Sequence, residues 1–116
     1  MLCLDTRFRY YENIAYECCA VKGSYVEQDP FDKGARMELN FGHTLGHAIE
    51  KTAGYGVYLH GEGVAMGMAA ACRWGEALGI TPAGTGRELE GIMARLGLPT
   101  RTPGDLEAGE LFARLA

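Results

Sequence analysis

The sequence lacks most features that would assign a chain to a special environment. No apolar run is long enough for a membrane span. The longest uncharged, strongly apolar stretch is Gly63 to Cys72, far short of the ~20 residues a spanning helix needs. No N-terminal stretch combines positive charge, an apolar core and a small-residue cleavage site, so no secretory signal is read. Positive charge is in short supply: 11 basic against 15 acidic residues leave a net charge of −4. Without a basic excess or a Lys/Arg stripe, nucleic acid is not an expected partner. The four cysteines are Cys3, Cys18, Cys19 and Cys72, with no CxxC pair. That argues against a disulfide framework or a cysteine zinc knuckle, and reduced thiols in a cytoplasmic protein are the expectation. There is no internal repeat, low-complexity tract or charge block, and no strand–GxGxxG–helix pattern for a dinucleotide. No segment alternates polar and apolar with period two for long, so an all-α architecture is expected.

What is present is a chain of 116 residues, 47% hydrophobic and 22% charged. That describes one globular domain with a modest core, residues 1–116, too short for an enzyme with a dinucleotide half and a substrate half. Glycine is in excess, 17 residues, about twice the usual share of roughly 7%. Interleaved with alanine and methionine, these glycines point to close helix packing and tight loops. A first helix is expected over Asp5 to Lys22, with Phe8, Tyr11, Ala15, Cys18 and Val21 at helical spacing, its tyrosines as core filling and Gly23 as its end. Tyr25 to Gly34 should be loop or extended, because Asp29 precedes Pro30. A second helix is expected over about Leu39 to Thr52, stopped by Gly54. A third, about Gly61 to Leu78, is apolar nearly all round and belongs inside a bundle, with Met66 and Met68 as core filling. A fourth starts at a capping box of Thr85 and Glu88, buries Leu89, Ile92, Met93 and Leu96, and ends at Gly97. A last helix begins near Asp105 and buries Leu111, Phe112 and Leu115.

The chemically informative segment is Arg36 to Glu50, RMELNFGHTLGHAIE. On a helical wheel, Arg36, Asn40, His43, His47 and Glu50 gather on one side, opposite Phe41, Leu45, Ala48 and Ile49. His43 and His47, at i and i+4, put two imidazoles on one face, an arrangement that suits a divalent metal. A solvated or hydrogen-bonded pair is the plain alternative. Gly42 and Gly46 read as mid-helix glycines, each costing up to about 1 kcal/mol relative to alanine, which suggests close approach to the backbone. The third histidine, His60, follows a Gly54-Tyr55-Gly56 turn that can return it beside the preceding helix. HTLGH is not HExxH, since Thr44 stands where a metalloprotease has its glutamate. Lys22 and Lys33 are by default solvated charges.

LNFGHTLGHAIE followed by GYGVYLHGEGVAMGM closely resembles the signature of the 3-dehydroquinate synthase family, within the sugar-phosphate cyclases. The likeness extends upstream through Lys22, Asp29, Asp32, Gly34 and Arg36, and downstream to GLPT at Gly97 to Thr100. It implies that this is the helical C-terminal domain of such an enzyme, without the N-terminal α/β domain that binds NAD. By the resemblance, His43 and His60 are ligands of zinc or another divalent metal such as cobalt. His47 takes part in proton transfer or substrate contact, Lys22 is catalytic and substrate-binding, and Arg36 and Asn40 bind polar and anionic groups of the substrate. The implied reaction converts 3-deoxy-D-arabino-heptulosonate 7-phosphate to 3-dehydroquinate and phosphate, a lyase step of the shikimate pathway in aromatic amino-acid biosynthesis. NAD is used transiently and regenerated. The family enzymes are cytoplasmic and homodimeric.

The chain departs from the family pattern in places. No residue matches the family's third zinc ligand, an upstream glutamate, and no lysine pair follows GLPT. Gly63 replaces an alanine and Asp32 a glutamate. A chain truncated at both ends is the expectation, inactive alone and marginally stable or self-associating. Other readings are a 2-deoxy-scyllo-inosose synthase type of cyclase, the helical domain of a metal-dependent alcohol dehydrogenase, and a non-catalytic packing module. Against the alcohol dehydrogenase stand Lys22, Arg36 and Asn40, an anion-binding set that a simple alcohol does not require.

Overall fold

The computed structural model describes residues 2–102. It divides into two compact units, Met1–Asn40 and Phe41–Ala116. Among the described residues every regular element is helical, as the missing period-two pattern leads one to expect. None of these helices is long and apolar enough to cross a membrane.

The first unit holds α1 (Leu2–Gln28) and a 3₁₀ helix (Ala35–Asn40). The expected end at Gly23 is overturned: α1 runs through it to Gln28, so Tyr25 to Gln28 are helical rather than loop. A glycine inside a helix is a penalty of up to about 1 kcal/mol, not a stop. The real stop is Pro30, which disfavours helix at Asp29. The expected core role of the α1 aromatics is overturned too. Phe8, Tyr10, Tyr11 and Tyr16 are all exposed, with Tyr16 at 72%. The 3₁₀ helix lies along only part of α1, which leaves these rings uncovered within the unit.

After Asp29 the chain reverses through Asp32, which adopts the left-handed conformation (φ 53°) that aspartate tolerates better than most residues. The Asp29 carboxylate organises this turn. It accepts backbone N–H bonds from Lys33 (3.0 Å), Gly34 (2.7 Å) and Arg36 (3.3 Å). Those bonds, led by that of Lys33, hold its carboxyl below the usual value. The Tyr25 hydroxyl donates to Glu38 Oε2 (2.7 Å), tying α1 to the 3₁₀ helix. That bond and the Glu38 charge push the phenol up.

The second unit is built on α2 (His43–Ala53), α3 (His60–Ala77) and α4 (Thr85–Arg95). Its core is Ala48 and Ile49 of α2, Ala65, Met66, Ala69 and Cys72 of α3, and Met93 of α4. The apolar α3 is the central member, packing on α2 on one side and α4 on the other. Met66 fills the core as expected, while Met68 is half-buried.

The second helix starts at His43, not Leu39. Gly42 is the N-cap residue, in the left-handed conformation at φ 79°, so it is not a mid-helix glycine. Arg36 and Asn40 therefore belong to the 3₁₀ helix, and the helical wheel cannot be extended back to them. The fourth helix also departs from expectation. Its N-cap is Gly84 (φ 91°), and Thr85 Oγ1 donates to the Pro82 carbonyl (2.7 Å), so no capping box with Glu88 forms. Of its expected stripe, Met93 is buried and Leu89 half-buried, whereas Ile92 and Leu96 are exposed.

Gly97 does end α4. Leu98 N–H reaches the Met93 carbonyl (2.9 Å) and Gly97 N–H that of Ala94 (3.1 Å), the double bond of a Schellman ending. Two side-chain links join α3 and α4. Glu76 Oε1 accepts from Gly86 N–H (2.6 Å) at the start of α4, and Arg73 pairs with Glu90 and reaches the Thr100 carbonyl. The helix expected near Asp105, with Leu111, Phe112 and Leu115, lies outside the described residues.

Candidate metal centre

The close packing of α2 on α3 follows from four glycines. A Cβ on Gly67 would collide with the Gly42 carbonyl oxygen and stand 2.7 Å from the Gly46 nitrogen. A Cβ on Gly46 would stand 3.0 Å from the Gly63 carbonyl and from Val64 Cα. These are backbone-to-backbone contacts: at Gly67 a larger residue collides outright, and at Gly46 the facing backbone must give by a few tenths of an ångström. Between the helices, Gly54 (φ 92°) and Gly56 (φ 94°) reverse the chain, and Val57 N–H bonds to the Gly54 carbonyl (3.2 Å). Leu59 N–H is then held by Glu62 Oε1 (2.8 Å), which sets the first turn of α3.

This geometry brings the three histidines together. The ring centroids are 5.4 Å apart for His43 and His60, 5.3 Å for His47 and His60, and 6.3 Å for His43 and His47. His43 and His60 are the first residues of their helices, and His47 stands one turn into α2.

Glu50 completes the cluster. The sequence placed it on the histidine face, but it had no assigned role; the signal was its i+3 spacing from His47. Its Oε2 lies 3.2 Å from His60 Nδ1 and 3.4 Å from His47 Nδ1. The Glu50 side chain is 12% exposed, against 58% and 54% for His47 and His60. Ligand atoms of His47, Glu50 and His60 all lie within 4.8 Å of one another, a group able to hold a metal ion. His43 Nδ1 faces the Phe41 carbonyl at 3.4 Å. The oxygen acceptors at Nδ1 of His43 and His60 favour the Nδ1–H tautomer there, which leaves a lone pair on each Nε2. Imidazole nitrogens are donors that fit zinc or a similar divalent cation, and the Glu50 carboxylate adds a negative charge beside them.

Lys22, Arg36 and Asn40 belong to the first unit. Lys22 is exposed on α1 and lines an open groove with Glu17, Cys18, Val21 and Leu39. Arg36 is half-buried on the 3₁₀ helix and donates to the Pro30 carbonyl (3.4 Å). Asn40 ends that helix and is exposed.

Comparison with known proteins identifies the family pattern. Residues 3–116 match the family model described as 3-dehydroquinate synthase C-terminal. The 3-dehydroquinate synthase of Clostridium kluyveri is 48% identical over 112 residues, covering 97% of this chain and 31% of that protein. That of Enterococcus faecalis is 48% identical over 91 residues, 78% of this chain and 25% of that protein. That of Streptococcus suis is 43% identical over 112 residues, again 97% of this chain and 31% of the relative. The chain thus spans about a third or less of the length of the curated relatives it matches.

Proposed function

This chain belongs to the 3-dehydroquinate synthase C-terminal family, and on that premise we propose that it is the metal- and substrate-binding part of such an enzyme. The reaction is the conversion of 3-deoxy-D-arabino-heptulosonate 7-phosphate to 3-dehydroquinate and phosphate. The observation that carries the reading is the convergence of three imidazoles beside the Glu50 carboxylate.

His43 and His60 are the proposed ligands of zinc or cobalt, each through Nε2. Such an ion, when bound, supplies Lewis acidity toward a substrate hydroxyl. His47, in the same cluster and more than half exposed, is the proposed group for proton transfer or substrate contact. Lys22 and Arg36 supply the cations that a doubly anionic substrate requires in a net-acidic chain, and Asn40 adds an amide for its hydroxyls. NAD, the hydride acceptor, is assigned to residues other than these, because the chain carries no dinucleotide fingerprint. The full enzyme is expected to be a cytoplasmic homodimer.

The test is cobalt or zinc binding by the purified chain, with His43→Ala and His60→Ala as controls. The expected outcome is a single weak site lost in both variants, with no synthase turnover by the chain alone. Metal uptake that ignores both substitutions would overturn the reading.

A further inference from the structure

We propose that Glu50 is a positioning residue, the carboxylate that fixes the imidazole of His60 by accepting from its Nδ1–H group. The inference rests on the reading of His60 as a ligand through Nε2 and deepens it.

The distances carry the argument first. One oxygen, Oε2, faces Nδ1 of both rings, at 3.2 and 3.4 Å. A carboxylate only accepts, so each Nδ1 that bonds to it must carry the proton, and each Nε2 must then carry the lone pair. This is the arrangement in which a carboxylate sets the tautomer and raises the basicity of a metal-binding histidine.

Packing is the second observation. Glu50 is far less exposed than either ring. Its stem rests against Gly63, where an added Cβ would stand 3.0 Å from Glu50 Cγ and 3.4 Å from Cδ. Main chain, not solvent, therefore fixes where the carboxylate lies. A shielded anion also requires a partner, and the His60 imidazole answers that need. Finally, the link runs from α2 to the first residue of α3, so a side chain of one helix orients a ring on the other.

The test uses the tautomers of the histidine rings, read by long-range proton–nitrogen NMR of the metal-free chain at about pH 8.5, where imidazoles are neutral. The parent is expected to hold His60 as Nδ1–H. Glu50→Gln, whose amide oxygen still accepts, should keep His60 in that form, while Glu50→Leu should return it to the Nε2–H form. A parent with His60 as Nε2–H overturns the proposal without any variant, and so does a folded Leu variant that retains Nδ1–H.

Cobalt titration is the second arm. The Leu variant should bind about 10–100-fold more weakly than the parent, and the Gln variant should recover most of that loss. A Gln variant as weak as the Leu variant, with its tautomers intact, would make Glu50 a ligand and refute a positioning role. A parent that takes up no cobalt would count against the proposed metal function, and the tautomer spectra would still decide the role of Glu50.

Discussion

Replacing Gly67 by alanine tests whether backbone contact between α2 and α3 builds the site. The added Cβ would overlap the Gly42 carbonyl oxygen and come within 2.7 Å of the Gly46 nitrogen. Both obstacles are main chain, so no rotamer change relieves the overlap. The helices must separate, by about 1 Å if a normal carbon–oxygen contact of ~3.3 Å is restored. Overpacking of this kind costs about 3 kcal/mol at the upper end of its usual range, offset by about 1 kcal/mol of helix propensity. The net loss is about 2 kcal/mol, roughly 8–16 °C in Tm for a domain of this size.

Two further glycines calibrate that number. Gly91 lies inside α4 with nothing within 4 Å of its Cβ position, so Gly91→Ala should stabilise by about 0.4–1 kcal/mol. Gly46→Ala meets backbone at 3.0 Å, and its modest clash should nearly cancel the propensity gain. Urea and thermal unfolding followed by circular dichroism read all three. A Gly67→Ala chain as stable as the parent would refute the close-packing argument, and with it the account of how the histidines are brought together.

Burial raises the Cys72 thiol above its usual value, so alkylation at neutral pH should label exposed Cys18 and Cys19 first, and Cys72 only after denaturant is added. The Asp29 carboxyl is held low by backbone donors. Its stabilising effect should therefore be complete above the ordinary value of 3.8 and vanish as pH falls through the depressed one. Urea unfolding of the parent and Asp29→Asn should accordingly converge in acid and diverge toward neutral pH. The exposed Phe8, Tyr11, Tyr16 and Val21 of α1 should make the chain self-associate. Sedimentation across a concentration series checks this, and a monomer throughout would contradict it.

Much of the second unit was legible in the sequence because its signals were redundant. The apolar run of α3 left no face for solvent, and Gly54 and Gly97 each followed the last helical residue that could precede them. The return of His60 to the α2 histidines was foreshadowed by the glycines of the turn. What was not legible depended on backbone angles or on neighbours. Gly23 and Gly42 are the same residue type, yet one continues a helix and the other adopts φ 79° and begins one; only the packing of Gly42 against Val64 and Met68 distinguishes them. The α1 aromatics have the spacing of a buried face, but burial needs a second surface, and spacing does not reveal whether one is there. Glu50 looked like an ordinary helix-face carboxylate, because its importance comes from His60, ten positions away.

The glycine seam between α2 and α3 also bears on adaptability. Glycine and alanine have no rotamers to freeze on folding and none to rearrange afterwards. Where two helices meet through long side chains, a few tenths of an ångström can be absorbed by torsions. At the Gly46–Gly67 contact that slack is missing, and the imidazole rings keep their freedom to rotate. An ion of the proposed kind would then be fitted chiefly by turning those rings, and the hydrogen bond between His60 and Glu50 would resist that turn.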